Sequence, residues 1–136
     1  MKLNLEEAHF FRYDHNQKIT VTNNIHQGED NMIIAFIIWT IVAILFMGIG
    51  ISAGKTKEPA GFFTFVDPPK VTDVKGYNHA VSVLWIVAAA IFELMGISFL
   101  FLKQNSPIVF LIVFGVVVLI VGMMIAYSRI EDKYRA

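Results

Sequence analysis

Three apolar runs dominate this chain, and each is long enough to cross a lipid bilayer. Met32 to Ala53 holds no charge, His79 to Leu102 holds only Glu93, and Pro107 to Tyr127 holds none. About 20 apolar residues in a helix cross the roughly 30 Å of a bilayer's hydrocarbon core. Helices buried in soluble domains rarely run that far without a polar face. Composition agrees, since only 16% of the 136 residues are charged, against about 25% in an ordinary soluble domain. The pattern predicts an all-α membrane protein with three transmembrane helices.

The expected boundaries follow from the end signals. Residues 1–31 form a polar N-terminal tail, 32–53 helix 1, 54–78 a loop, 79–102 helix 2, 107–128 helix 3 and 129–136 a tail. Asp30 and Asn31 can cap the first helix, and Ser106-Pro107 reads as N-cap and first helical residue. Lys103 to Ser106 is then a tight turn, which makes helices 2 and 3 an antiparallel hairpin. Helix 2 can begin as early as Thr72 or Asp73, because Val74, Tyr77, Val81 and Trp85 keep helical spacing, although Gly76 weakens that stretch. Tyr77, Tyr127, Lys103 and Arg129 stand where interfacial anchors belong.

The bases are unevenly divided. Lys55, Lys57, Lys70, Lys75, Arg129, Lys133 and Arg135 share one side, with Lys103, and more distantly Lys18, Arg12 and Lys2, on the other. The positive-inside rule places the loop and the C-terminus in the cytoplasm and the N-terminus outside.

The tail carries His9, His15 and His26 without metal-site spacing, so it reads as a solvated segment. Ile19 to Thr22 could form a short strand, but one strand buries nothing alone. Residues 1–31 lack the apolar centre of a cleavable signal peptide. A second reading is genetic: Gln27-Gly28-Glu29-Asp30-Asn31 can be encoded by a purine-rich string containing a ribosome-binding sequence, which would make Met32 the natural start.

Little in the chain suggests catalysis. There is no cysteine, hence no disulfide, thiolate metal ligand or cysteine nucleophile. Eleven bases balance eleven acids, leaving no support for nucleic-acid binding. No phosphate-binding glycine loop, nucleophile–base pair or metal-spaced cluster occurs. The expectation is a protein that is not an enzyme, without catalytic residues, metal or cofactor.

Glu93 is the one ionisable residue inside a span, where a carboxylate is costly and usually faces the bundle interior. At about 1.5 Å rise per residue, it lies roughly 13 Å from the Leu102 end of its helix. Thr40 lies roughly 12 Å from the Met32 end, which starts on the same side. Thr40 can therefore donate to Glu93, with Gly115 at similar depth leaving room. A structural tie, an ion or proton role and an oligomer contact all remain open for Glu93. Gly48, Gly50, Gly96, Gly115 and Gly122 are the candidate packing positions, since small residues let helices approach in lipid.

The 54–78 loop mixes rings with lysines. Phe62, Phe63 and Phe65 suit either the headgroup layer or a lid beneath the bundle. Lys70, Asp73, Lys75, Tyr77 and Asn78 complete this candidate interface. Pro-Ala-Gly-Phe-Phe is followed by Pro-Lys-Val-Thr-Asp-Val-Lys-Gly-Tyr-Asn and then by Ala80 to Trp85 leading into helix 2. Across 32–102 this order resembles small uncharacterised bacterial integral membrane proteins with a Gly-aromatic segment and an Asp-Val-x-x-Tyr-Asn segment. It is similar, more distantly, to membrane immunity proteins of the sporulation-delaying-protein type, which share a Gly-x-x-Thr loop and an Asp-Val-x-x-aromatic helix start. The N-terminal tail and Glu93 depart from that plan.

The resemblance implies a non-enzymatic bacterial inner-membrane protein of immunity or regulatory type. Its partners would be the bilayer and either a membrane protein or a second copy. The alternative is a small transporter or channel subunit using Glu93, whose helix resembles the acidic first helix of small multidrug transporters. In those, three helices follow the glutamate; here one does.

Overall fold

The structure, a computed structural model, describes residues 5–61, 69–102 and 106–136. Three helices account for nearly all of it: α1 (Leu5–Lys55), α2 (Val74–Ile97) and α3 (Ile108–Tyr134), with a short 3-10 turn at Ser98–Leu100. All three are long and apolar enough to cross a membrane.

The first helix departs most from expectation. It is a single 51-residue helix, about 76 Å long at the usual rise. Asp30 and Asn31 lie inside it rather than capping it, and residues 5–31 of the expected polar tail are helical. Local chemistry explains the continuation. No proline interrupts Leu5–Lys55, so nothing forces a stop. The candidate strand at Ile19–Thr22 is helical, with Thr20 and Thr22 hydroxyls donating to the Asn16 and Lys18 carbonyls, both at 2.9 Å. Lys18 pairs with Asp14 one turn earlier at 3.0 Å. Tyr13, Ile19, Val21 and Ile25 are all exposed, and this half adds no residue to the buried core found among the described residues.

Asp73 sets the start of α2. Its backbone is extended and its Oδ1 accepts from the Gly76 amide at 3.0 Å. The helix thus begins before residue 79, and it gives way to the 3-10 turn before residue 102. Ser106 Oγ accepts from the Ile108 amide at 3.4 Å as α3 opens. That helix runs past residue 128 to Tyr134, so most of the expected C-terminal tail is helical.

α2 is the central element, with 28% of its apolar window buried against 11% for each of the others. On α1, Met32, Trp39, Ala43, Phe46, Gly50 and Ala53 recur at spacings of three, four or seven, which places them on one face. Trp39 meets Phe92 and Phe99, and Phe46 meets Trp85 and Phe92. A Cβ on Gly50 would lie 3.0 Å from the Ser82 carbonyl, and one on Gly54 2.9 Å from its Oγ. Numbers rise along α1 as they fall along α2, so these two helices run antiparallel. Against α3, Met95 of α2 rests its methyl over Gly115, Phe99 packs near Ile112, and Tyr77 meets Tyr127.

Two of the candidate packing glycines do not pack within the chain. Gly48 and Gly122 have nothing within 4 Å of a built Cβ. Gly48 is two residues from Gly50, which turns it to the opposite face. Gly122 shares a face with Gly115 but opens onto a groove of about 390 Å³ lined by Leu84, Ala88, Val118 and Met123 among others.

The outward faces are apolar. Ile37, Ile38, Ile41, Ile44 and Leu45 of α1 are exposed, as are Phe110 (80%) and Phe114 (65%) of α3. Continuous apolar surface on this scale fits hydrocarbon and not water.

Candidate functional site

The densest polar construction lies where α1 ends and α2 begins. Asn78 is 2% exposed and Tyr77 fully buried. Asn78 Oδ1 accepts from the Ala60 amide at 2.8 Å, and Nδ2 donates to the Thr56 and Glu58 carbonyls at 3.1 and 2.8 Å. One side chain thereby fastens three backbone groups of the 56–60 segment. The amide uses one acceptor and both donor hydrogens, so its burial is compensated.

Tyr77 ties the same segment to α3. Its hydroxyl donates to the Ala60 carbonyl at 3.0 Å and lies 2.8 Å from the Tyr127 hydroxyl. A phenol has one proton, and Ala60 takes it, so Tyr127 is the donor between the two rings. Tyr134 packs edge-on to Tyr77 with centroids 6.2 Å apart. Ala53, Val81, Val71, Trp85 and Ile130 complete the apolar cluster around Tyr77.

The C-terminus closes this end. Thr72 donates from its amide (2.9 Å) and hydroxyl (3.2 Å) to the Tyr134 carbonyl. Ala136 donates to the Lys70 carbonyl at 3.0 Å, and Val71 bridges Arg135. Arg135 donates to Glu131 at 2.7 Å; that hydrogen bond, then the carboxylate charge, raises the guanidinium pKa. Lys70 and Lys75 are exposed on this platform, and Asp73 is engaged as the cap of α2. Phe62, Phe63 and Phe65 lie outside the described residues, as does Lys103 in the expected turn.

A second polar locus sits at mid-span. Thr40 Oγ1 donates to Glu93 Oε1 at 2.9 Å. Oε2 is buried with no hydrogen-bond partner among the described residues. The neighbouring pair is Trp39, whose indole N–H donates to the Phe92 carbonyl at 2.7 Å while its ring stacks on Phe92. Gly96 makes the seat, because a Cβ there would overlap the Trp39 indole. Gly115 faces Met95 rather than Glu93, so it is not the carboxylate's space-maker. Between the helices, Phe46, Trp85, Phe92, Val116, Leu119, Ile120 and Met123 line a cavity of about 190 Å³ with almost no polar wall. Among the described residues, no group of three acidic or histidine side chains could hold a metal.

Comparison with protein-family models, curated proteins and solved structures gives no match.

Proposed function

We propose that this is a non-enzymatic multi-pass protein of a bacterial inner membrane, of immunity or regulatory type, working through a membrane partner or a second copy. The platform closed by Asn78 carries this reading. It holds the 56–60 segment, the start of α2 and the end of α3 in one hydrogen-bonded unit. A preorganised face of this sort lowers the ordering cost of binding. The surrounding lysines sit on the side that the positive-inside rule makes cytoplasmic, with the N-terminus outside. In this reading α2 and α3 form an antiparallel hairpin. The Phe99–Ile112 contact at one end and the Tyr77–Tyr127 contact at the other support that arrangement.

The alternative is a small transporter or channel subunit using Glu93. Its support is the buried, half-satisfied carboxyl; against it stands the apolar lining of the nearby cavity. Glu93→Gln and Asn78→Ala variants, matched for expression, separate the two in cells. Loss of phenotype in Asn78→Ala with a silent Glu93→Gln supports the platform. The reverse result overturns it in favour of transport. A toxin or bacteriocin gene beside this one would favour the immunity form.

A further inference from the structure

One cleft in the structure differs in chemistry from the apolar grooves. It has a volume of about 360 Å³ and is lined by Gly54, Lys55, Thr56, Lys57, Val74, Lys75 and Asn78. Three lysines from two separate segments therefore border one space, and no acidic residue lines it. None of the three lysines forms an ion pair among the described residues. Like charges gathered this way repel one another unless an anion enters.

The backbone adds to the same field. The cleft abuts the first residues of α2, where a helix presents free N–H groups and partial positive charge. Asp73 satisfies the Gly76 amide with its side chain and the Tyr77 amide with its carbonyl, but not those of Val74 and Lys75, which border the cleft. The walls are also fixed. Asn78, at the back of the cleft, is buried and bonds the backbone of Thr56 and Glu58 on either side of Lys57. Lys57 is thus carried on a fastened segment.

In the membrane reading, depth brings lipid headgroups within reach of the cleft. On α1 the apolar run ends at Ala53, and Lys55 and Lys57 follow at once. That is the level of the headgroup phosphates in a bilayer. We propose that Lys55, Lys57 and Lys75 form a binding site for a phosphate group, supplied by an anionic lipid headgroup or by a free phosphate. Only the lipid source rests on the membrane reading given above; the site itself does not depend on a protein partner.

The test uses the full-length chain in a zwitterionic detergent. Native mass spectrometry reads its retention of phosphatidic acid and phosphatidylglycerol against phosphatidylcholine. A parallel titration with inorganic phosphate is followed by calorimetry. The Lys55→Gln/Lys57→Gln/Lys75→Gln variant should lose anion preference by roughly fivefold per lysine. Lys133→Gln should leave it unchanged, and the triple lysine-to-arginine variant should keep it, which separates lost charge from lost fold. Retention of the anionic lipids without phosphate binding identifies the headgroup as the source. Phosphate binding that displaces the lipid identifies a free phosphate. Binding of neither, or binding equally strong in the triple glutamine variant, overturns the site.

Discussion

Thr40 of α1 donates its hydroxyl to Glu93 of α2 across 2.9 Å in the middle of the apolar interface. The bond satisfies one carboxyl oxygen, and the other is buried without a partner among the described residues. Such an arrangement makes the two residues energetically unequal.

Thr40→Val should destabilise the α1–α2 pair by about 1–2 kcal/mol, because both carboxyl oxygens then lack a donor. Glu93→Leu should stay within about 1 kcal/mol of wild type or stabilise, since it removes a poorly compensated buried group. The double variant should match Glu93→Leu and not the sum. Unfolding free energies from steric trapping in bicelles complete this cycle; additivity would show that the hydrogen bond carries no coupling.

Gly96→Ala should cost about 1–3 kcal/mol as an overpacked contact, because the new methyl meets the Trp39 ring. Gly48→Ala and Gly122→Ala should cost less than about 0.5 kcal/mol, as both face open space. Trp39→Phe in the Gly96→Ala background should recover part of the loss. Thermal unfolding followed by tryptophan fluorescence reads all four.

Asn78→Ala leaves two carbonyls and one amide of the 56–60 segment without their present partner. Each such group costs about 1–3 kcal/mol if it stays buried, so the segment should come away toward water instead. Trypsin should then cut after Lys55 or Lys57 at least tenfold faster than in wild type. Equal cleavage rates would mean that the clamp does not hold the segment.

Tyr77→Phe loses the Ala60 and Tyr127 hydrogen bonds together, whereas Tyr127→Phe spares the bond to Ala60. The first should cost more, by about 0.5–1.5 kcal/mol. Unfolding free energies of the two single variants check the order.

A chain starting at Met32 should keep the bundle. The removed half of α1 adds no residue to the buried core among the described residues, and Tyr13, Val21 and Ile25 are exposed on it. Its unfolding midpoint should stay within a few degrees of the full-length value. The genetic reading adds a separate measurement: a peptide from residues 1–31 in mass spectra of the native protein would exclude Met32 as the sole start.

Hydropathy carried the three spans, because a run of 20 apolar residues has few other folded uses. Rise per residue was enough to set Thr40 and Glu93 at one depth. The glycines were harder: spacing showed which lie on a common helix face, but not that the α2–α3 groove opens at Gly122. Asp30 and Asn31 resemble a cap and so mask the extension of α1, for which the absence of proline before them is the better signal. The role of Asn78 as a clamp is not legible in the sequence. Its three partners are backbone atoms, which leave no signature in side-chain pattern. The cue available was a tyrosine–asparagine pair immediately inside a helix that Asp73 already caps.

The clamp recognises main chain alone, and that separates two kinds of constraint on the same short stretch. Thr56 and Glu58 offer carbonyls, and Ala60 an amide, that most residues would offer equally well. Among diverging copies of this gene the clamp itself leaves the side chains there free to drift, although Thr56 Oγ1 accepts from the Glu58 amide at 3.4 Å and Ala60 packs on the Tyr77 cluster. A lysine retained at position 57 would therefore record selection by whatever lies outside the protein.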